Sequence, residues 1–129
     1  MTPLDPFDLP SWLGESEVTW TSDDITRSTH LVSGFLIAGD ERLPCDLVAI
    51  DEAYPAPVAD DRIRTAAHQS WQHGEVFSVE REGRLTLAVP GRYFRADRVL
   101  DALPRLARAV GGDPTSYSVR LRLGGARAG

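Results

Sequence analysis

The residues able to do chemistry are few and scattered. Cys45 is the only cysteine in the 129-residue chain, so neither an intrachain disulfide nor a Cys-rich zinc site can form. It follows Pro44 in an apolar run, where a free cysteine behaves as a small buried hydrophobe. To serve as a nucleophile it needs a base and an orienting group beside it. The histidines are His30, His68 and His73. His68 and His73 share a predicted helix, but five residues of separation turn them about 140° apart, so they cannot clamp one metal as an i, i+4 pair does. No Asp or Glu completes a zinc or iron spacing, and His73 suits the negative end of a helix dipole. No metal and no cofactor are expected.

Phosphate loops and nucleophile elbows are missing as well. Gly111-Gly112 follows a predicted helix instead of preceding one, and neither Gly-Lys-Ser/Thr nor Gly-x-Ser-x-Gly occurs. The acidic pairs Asp23-Asp24, Asp40-Glu41, Asp51-Glu52 and Asp60-Asp61 each sit at a turn or helix start, where capping explains them. The strongest binding candidates are arginines. Arg92, Arg95 and Arg98 flank Tyr93 and Phe94 at the start of a predicted helix, a setting that suits a phosphate or carboxylate. Arg120 and Arg122 extend the set from the last strand. The competing reading has Asp101 pairing with Arg98 and Arg105 on a solvated helix face.

Charge is segregated along the chain. Residues 1–61 hold 13 Asp/Glu and 2 Arg, a net of -11; residues 62–129 hold 6 Asp/Glu and 12 Arg, a net of +6; together they give -5. Such asymmetry marks an anion-docking surface, or it cancels when an acidic half folds against a basic one. All 14 basic residues are Arg, which reads as GC-rich coding. The N-terminus has neither a basic start nor an apolar run, so no signal or membrane span is drawn there. A bacterial cytoplasmic protein is expected.

These residues must be held by one domain, since 42% hydrophobic and 26% charged composition is globular. Prolines at 3, 6 and 10 predict an extended arm over 1–14, with Phe7, Leu9, Trp12 and Leu13 too apolar to stay wet. Strands are predicted at 17–21, with Val18 and Trp20 inward, at 30–38, and at 43–50 after a Gly39-Asp40-Glu41 turn. Residues 30–38 are apolar on both parities and need cover on both faces. Ile63, Ala66, Ala67, Ser70 and Trp71 form the inner stripe of a helix over 60–73. A hairpin over 75–81 and 85–89 follows; keeping Phe77 and Val79 on one face with Leu87 and Val89 requires an odd-length, bulged turn at Glu82-Gly83-Arg84. A second helix over 97–110 carries a kink or restart at Pro104, and 117–123 alternates as a strand before a flexible tail at 124–129.

The expected class is α+β: a mostly antiparallel sheet with two helices on one face, in the order β-β-β-α-β-β-α-β. Over 43–123 this element order resembles the split βαβ arrangement of ferredoxin-like domains. The alternative parse is a small fold of the secretion-chaperone kind, with the last strand an addition. In the first layout one sheet face lacks helices, and the N-terminal arm or a second subunit is expected to cover it. With no catalytic constellation, the expected function is a non-catalytic protein-interaction or regulatory domain that self-associates. The alternatives are an anion or nucleic-acid binder using the Arg-rich half, and an enzyme with an unfamiliar site near Cys45 or His68.

Overall fold

A computed structural model of the chain describes residues 2–5, 8–14, 17–22, 31–50, 61–91, 96–111 and 118–123. The strands are β1 (Thr2–Pro3), β2 (Glu17–Ser22), β3 (Leu31–Val32), β4 (Phe35–Ala38), β5 (Glu41–Ile50), β6 (Phe77–Arg81), β7 (Arg84–Pro90) and β8 (Ser118–Leu123). The helices are α1 (Asp61–Gln72) and α2 (Ala96–Ala109), and a 3-10 turn spans Ser11–Gly14. The α+β class is as expected, and from β5 onward the elements follow the expected order β-α-β-β-α-β; before it, β1 is an addition and one predicted strand is divided in two. The strands form one mixed sheet in the order β1-β6-β7-β5-β4-β2-β8, with β3 also on β5. Pairing is antiparallel except for β5 with β7 and β2 with β8. As in a split βαβ core, β7 lies between β5 and β6. The last strand, however, sits beyond β4 and β2 and pairs with β2 along its whole length.

The predicted strand over 30–38 appears as β3 and β4, both in one register with β5: Leu31 opposite Val48 and Ala38 opposite Glu41. The two-residue turn is Gly39-Asp40, with Gly39 at φ 60°. The strand is interrupted at Ser33-Gly34, although the Cys45 amide still reaches the Gly34 carbonyl at 2.9 Å. Because Gly34 and Cys45 are a hydrogen-bonded pair, Phe35 and Pro44 fall in the alternate, non-bonded position, where the missing proline amide costs nothing. Gly34 is required for a different reason. A Cβ there would lie 2.6 Å from both the Thr21 carbonyl oxygen and the Trp20 ring, so only glycine lets Trp20 lie under the strand.

Successive strand residues alternate faces and registered partners share one, which sorts the core into two layers. Leu47, Leu87, Val89, Val32, Leu36 and Trp20 face α2, whose Ala102, Leu103 and Leu106 complete that cluster. Val48, Ile50, Val79 and Ala88 face α1 through Ile63 and Ala67. The helices therefore cover opposite faces, a correction to the expectation of two helices on one face. The reason is topological. The chain leaves β5 through α1 toward β6 and β7, then leaves β7 through α2 back across the sheet toward β8. Connections of the same hand that travel in opposite directions pack on opposite faces. This is also how both sides of residues 31–38 are covered, Val32 under α2 and Leu31 beside α1.

The N-terminal arm is corrected on the same grounds. It is not a lid on a face without helices. Leu13 is completely buried, and Leu4, Leu9 and Trp12 pack with it on the α2 side. At its start, β1 pairs with the outer edge of β6, and the Leu4 amide donates to the Ser78 carbonyl at 3.0 Å. The arm thus straps that layer across the sheet. Its other expected anchor, Phe7, lies outside the described residues, as do the tail at 124–129 and the loop at 51–60.

The β6–β7 turn also differs from expectation. Phe77 pairs with Ala88 and Val79 with Thr86, the register of a two-residue turn. Glu82 and Gly83 both have positive φ, 55° and 76°, the mirror-image turn that matches strand twist. With both faces covered, Phe77 and Val79 can serve the α1 layer while Leu87 and Val89 serve the α2 layer. No bulge is needed. Finally, α2 runs unbroken through Pro104.

Candidate functional site

The sequence-predicted arginines do not form one described cluster. Arg92 and Arg95 lie outside the described residues. Arg98 sits on α2, its guanidinium 5.6 Å from the centre of the Trp71 ring. Arg120 and Arg122 occupy register positions opposite Thr19 and Thr21, which belong to the other face of the sheet from the one α2 covers. The sheet separates Arg98 from those positions. The expected Asp101–Arg105 pair is present at 3.3 Å, and Arg105 also donates to the carbonyls of Trp71 and Glu75 while stacking 3.8 Å over the Trp71 ring. Trp71, expected on the inner stripe of α1, is instead a half-buried clasp between the two helix ends.

Cys45 and His68 are likewise held apart. Cys45 points into the α2 layer, completely buried, beneath Trp20, whose indole donates to the Cys45 carbonyl at 3.0 Å. His68 belongs to α1 on the opposite face, where its Nε2 donates to the Ile50 carbonyl at 2.9 Å and pins the helix to the end of β5. Burial, together with the neighbouring Asp46 charge, pushes the Cys45 thiol far above its ordinary range. A thiol reagent should therefore leave Cys45 unmodified in the native protein even at pH 9, and label it fully in urea. Rapid native labelling would show that this layer opens readily.

A different group of residues assembles on the α1 side of the sheet, on the half nearer β4. Its anchor is Asp46, a lone carboxylate in the middle of β5 with no exposed side-chain surface. A charge there is tolerable only if paired and hydrogen-bonded. Arg84, across on β7, supplies a fork: Nε at 3.0 Å from both carboxylate oxygens and Nη2 at 2.9 Å from Oδ1. The Gly34 amide adds a bond of 3.3 Å, and Arg81 Nη1 lies 3.9 Å from Oδ2. Arg84 Nη2 also donates to the Gly34 carbonyl at 3.0 Å, so the interrupted strand, β5 and β7 are tied at one point. Hydrogen bonding to Asp46 raises the Arg84 pKa above its ordinary value.

Above this pair lies Phe35 of β4. Two guanidinium groups stack on its ring, Arg42 at 3.9 Å and Arg84 at 5.3 Å from the centroid. Arg84 is neutralised by Asp46, and Arg81 is shared between Asp46 and Glu82, 3.2 Å away. Arg42 is exposed and has no carboxylate partner among the described residues. The hydroxyls of Thr21 and Thr86, on the same face, are buried without a described hydrogen-bond partner. This group can hold an anionic side chain but contains no nucleophile with a base. Sequence reading missed it because its members come from β4, β5 and β7. The available signal was Asp46 itself, a carboxylate inside an apolar strand, which demands a buried cation nearby.

No protein-family model, curated protein or solved structure matches the chain significantly. Among the described residues no helix is long and apolar enough to cross a membrane.

Proposed function

We propose that this chain is a non-catalytic interaction domain that docks an acidic polypeptide segment on the Phe35 face, with Arg42 as the anchor. The observation that carries this reading is Arg42 itself, stacked at 3.9 Å on Phe35 without a carboxylate partner among the described residues. A guanidinium held flat on an aromatic ring loses little freedom on binding, and arginine and aromatic side chains carry much of the energy of protein interfaces. The fixed Asp46–Arg84 pair beneath supports a rigid platform. The chain's own N-terminal half, net -11 over residues 1–61, offers acidic segments of the right kind, so self-association is one form this docking takes.

A nucleic-acid partner fits less well. The Phe35 ring is engaged by two arginines instead of being free to stack on a base. Poly-glutamate and a DNA duplex, titrated in parallel against the intact protein, separate the two readings. Poly-glutamate should bind, and Arg42→Ala should weaken it about tenfold, the worth of one charge-assisted contact. Tighter DNA binding with a steep salt dependence would replace this reading with the nucleic-acid one, and binding of neither would sink both.

A further inference from the structure

A second feature, away from the Phe35 face, points to a small-molecule site. Where the C-terminal turns of α1 and α2 meet the start of β6, a cleft of about 440 Å³ opens, within the ~300–1,000 Å³ typical of ligand pockets. Leu4 from the N-terminal arm, Val76 and Phe77 give it apolar walls. Arg105 lines it too, but its guanidinium is occupied by two carbonyls, Asp101 and the Trp71 ring. Two lining charges of opposite sign remain, Glu75 and Arg108. They do not pair with each other or with any other described residue. The Arg108 guanidinium lies 4.0 Å from where a Cβ on Gly74 would stand, which places it at the mouth beside the last turn of α1.

An apolar pocket bounded by one cation and one anion, neither paired among the described residues, is complementary to a ligand with the same three parts. A fatty or aromatic acid would leave Glu75 facing it without a counter-charge, and a simple amine would do the same to Arg108. We propose that this cleft binds a free α-amino acid with an apolar side chain: its carboxylate on Arg108, its ammonium toward Glu75 and its side chain against Leu4, Val76 and Phe77. Because the cleft is built from the arm, both helix ends and β6, its occupant braces their junction. This site is independent of the Phe35 docking reading.

The test is calorimetric titration of the intact protein with L-leucine and L-phenylalanine, beside 4-methylpentanoate and 3-methylbutylamine, which each keep an apolar body but only one charge. The amino acids should bind, and each single-charge analogue should bind at least about tenfold more weakly. Arg108→Ala and Glu75→Gln, both at exposed positions, should retain the native far-ultraviolet spectrum and lose at least about tenfold in affinity. Ala109→Trp, which fills the cleft, should abolish binding. No heat with either amino acid at about 10 mM would overturn the proposal, since a real small-molecule site should be at least partly filled at that level. Equal binding by the analogues, or by Arg108→Ala, would overturn it too.

Discussion

Deleting residues 1–14 should unfold the domain. The arm contributes Leu13, completely buried, and the packed side chains of Leu4, Leu9 and Trp12. Full burial of one such side chain is worth ~1.5–3 kcal/mol, so Leu13 together with three partly buried neighbours approaches the whole stability of a small domain, ~5–15 kcal/mol. The deletion also uncovers the β6 edge, now paired with Thr2 and Pro3, and an uncovered edge invites association. Circular dichroism and light scattering of the truncated chain beside the intact one would check this. A folded monomer melting within a few degrees of the parent would mean that the arm is an accessory.

The Asp46–Arg84 pair should show an asymmetry. Arg84→Ala strands a carboxylate that has no access to water, leaving it only the Gly34 amide and a distant Arg81, and the expected loss is ~3–5 kcal/mol. Asp46→Ala leaves a guanidinium that is 29% exposed and can turn toward solvent, so its cost should be smaller, ~2–3 kcal/mol. Replacing both with well-packed apolar residues should recover part of either loss. Urea denaturation of the three variants would measure this. Equal losses from the two single variants would show that water reaches Asp46 after all.

What could be read from residue order was whatever depends on neighbours along the chain. Val18 and Trp20 alternate inward, Ile63 and Ala67 define the stripe of α1, and the Gly39-Asp40 turn fixes the register of residues 31–50. What could not be read depends on which strand meets which. Nothing local announces that β8 lies parallel to β2, or that β4 and β2 separate it from β5. The layering escaped for the same reason. A strand apolar on both parities, such as Leu47-Val48, demands two covers without saying which helix supplies each, and the β6–β7 register depends on burial of both faces, which alternation in one hairpin does not reveal. The Arg42, Phe35 and Arg84 assembly joins residues 7 to 49 positions apart, so only the unexplained Asp46 hinted at it. The cleft gave no signal, since Leu4, Glu75 and Arg108 share no motif.

The pairing of β1 with β6 and of β2 with β8 bears on how the molecule comes into being. Thr2 must wait for Glu80, and Glu17 for Ser118, so a chain emerging from the ribosome cannot complete its sheet until residues 118–123 have been made. Until then Trp20, Leu36 and Val32 lack the cover of α2, and the 41–50 strand lacks its β7 neighbour. Long-range closures of this kind are slow, because loop entropy is lost before the contacts that offset it form. The nascent chain therefore spends its synthesis time with adhesive strands exposed, and a chaperone that holds such segments should raise its folding yield more than it would for a helical bundle of equal length.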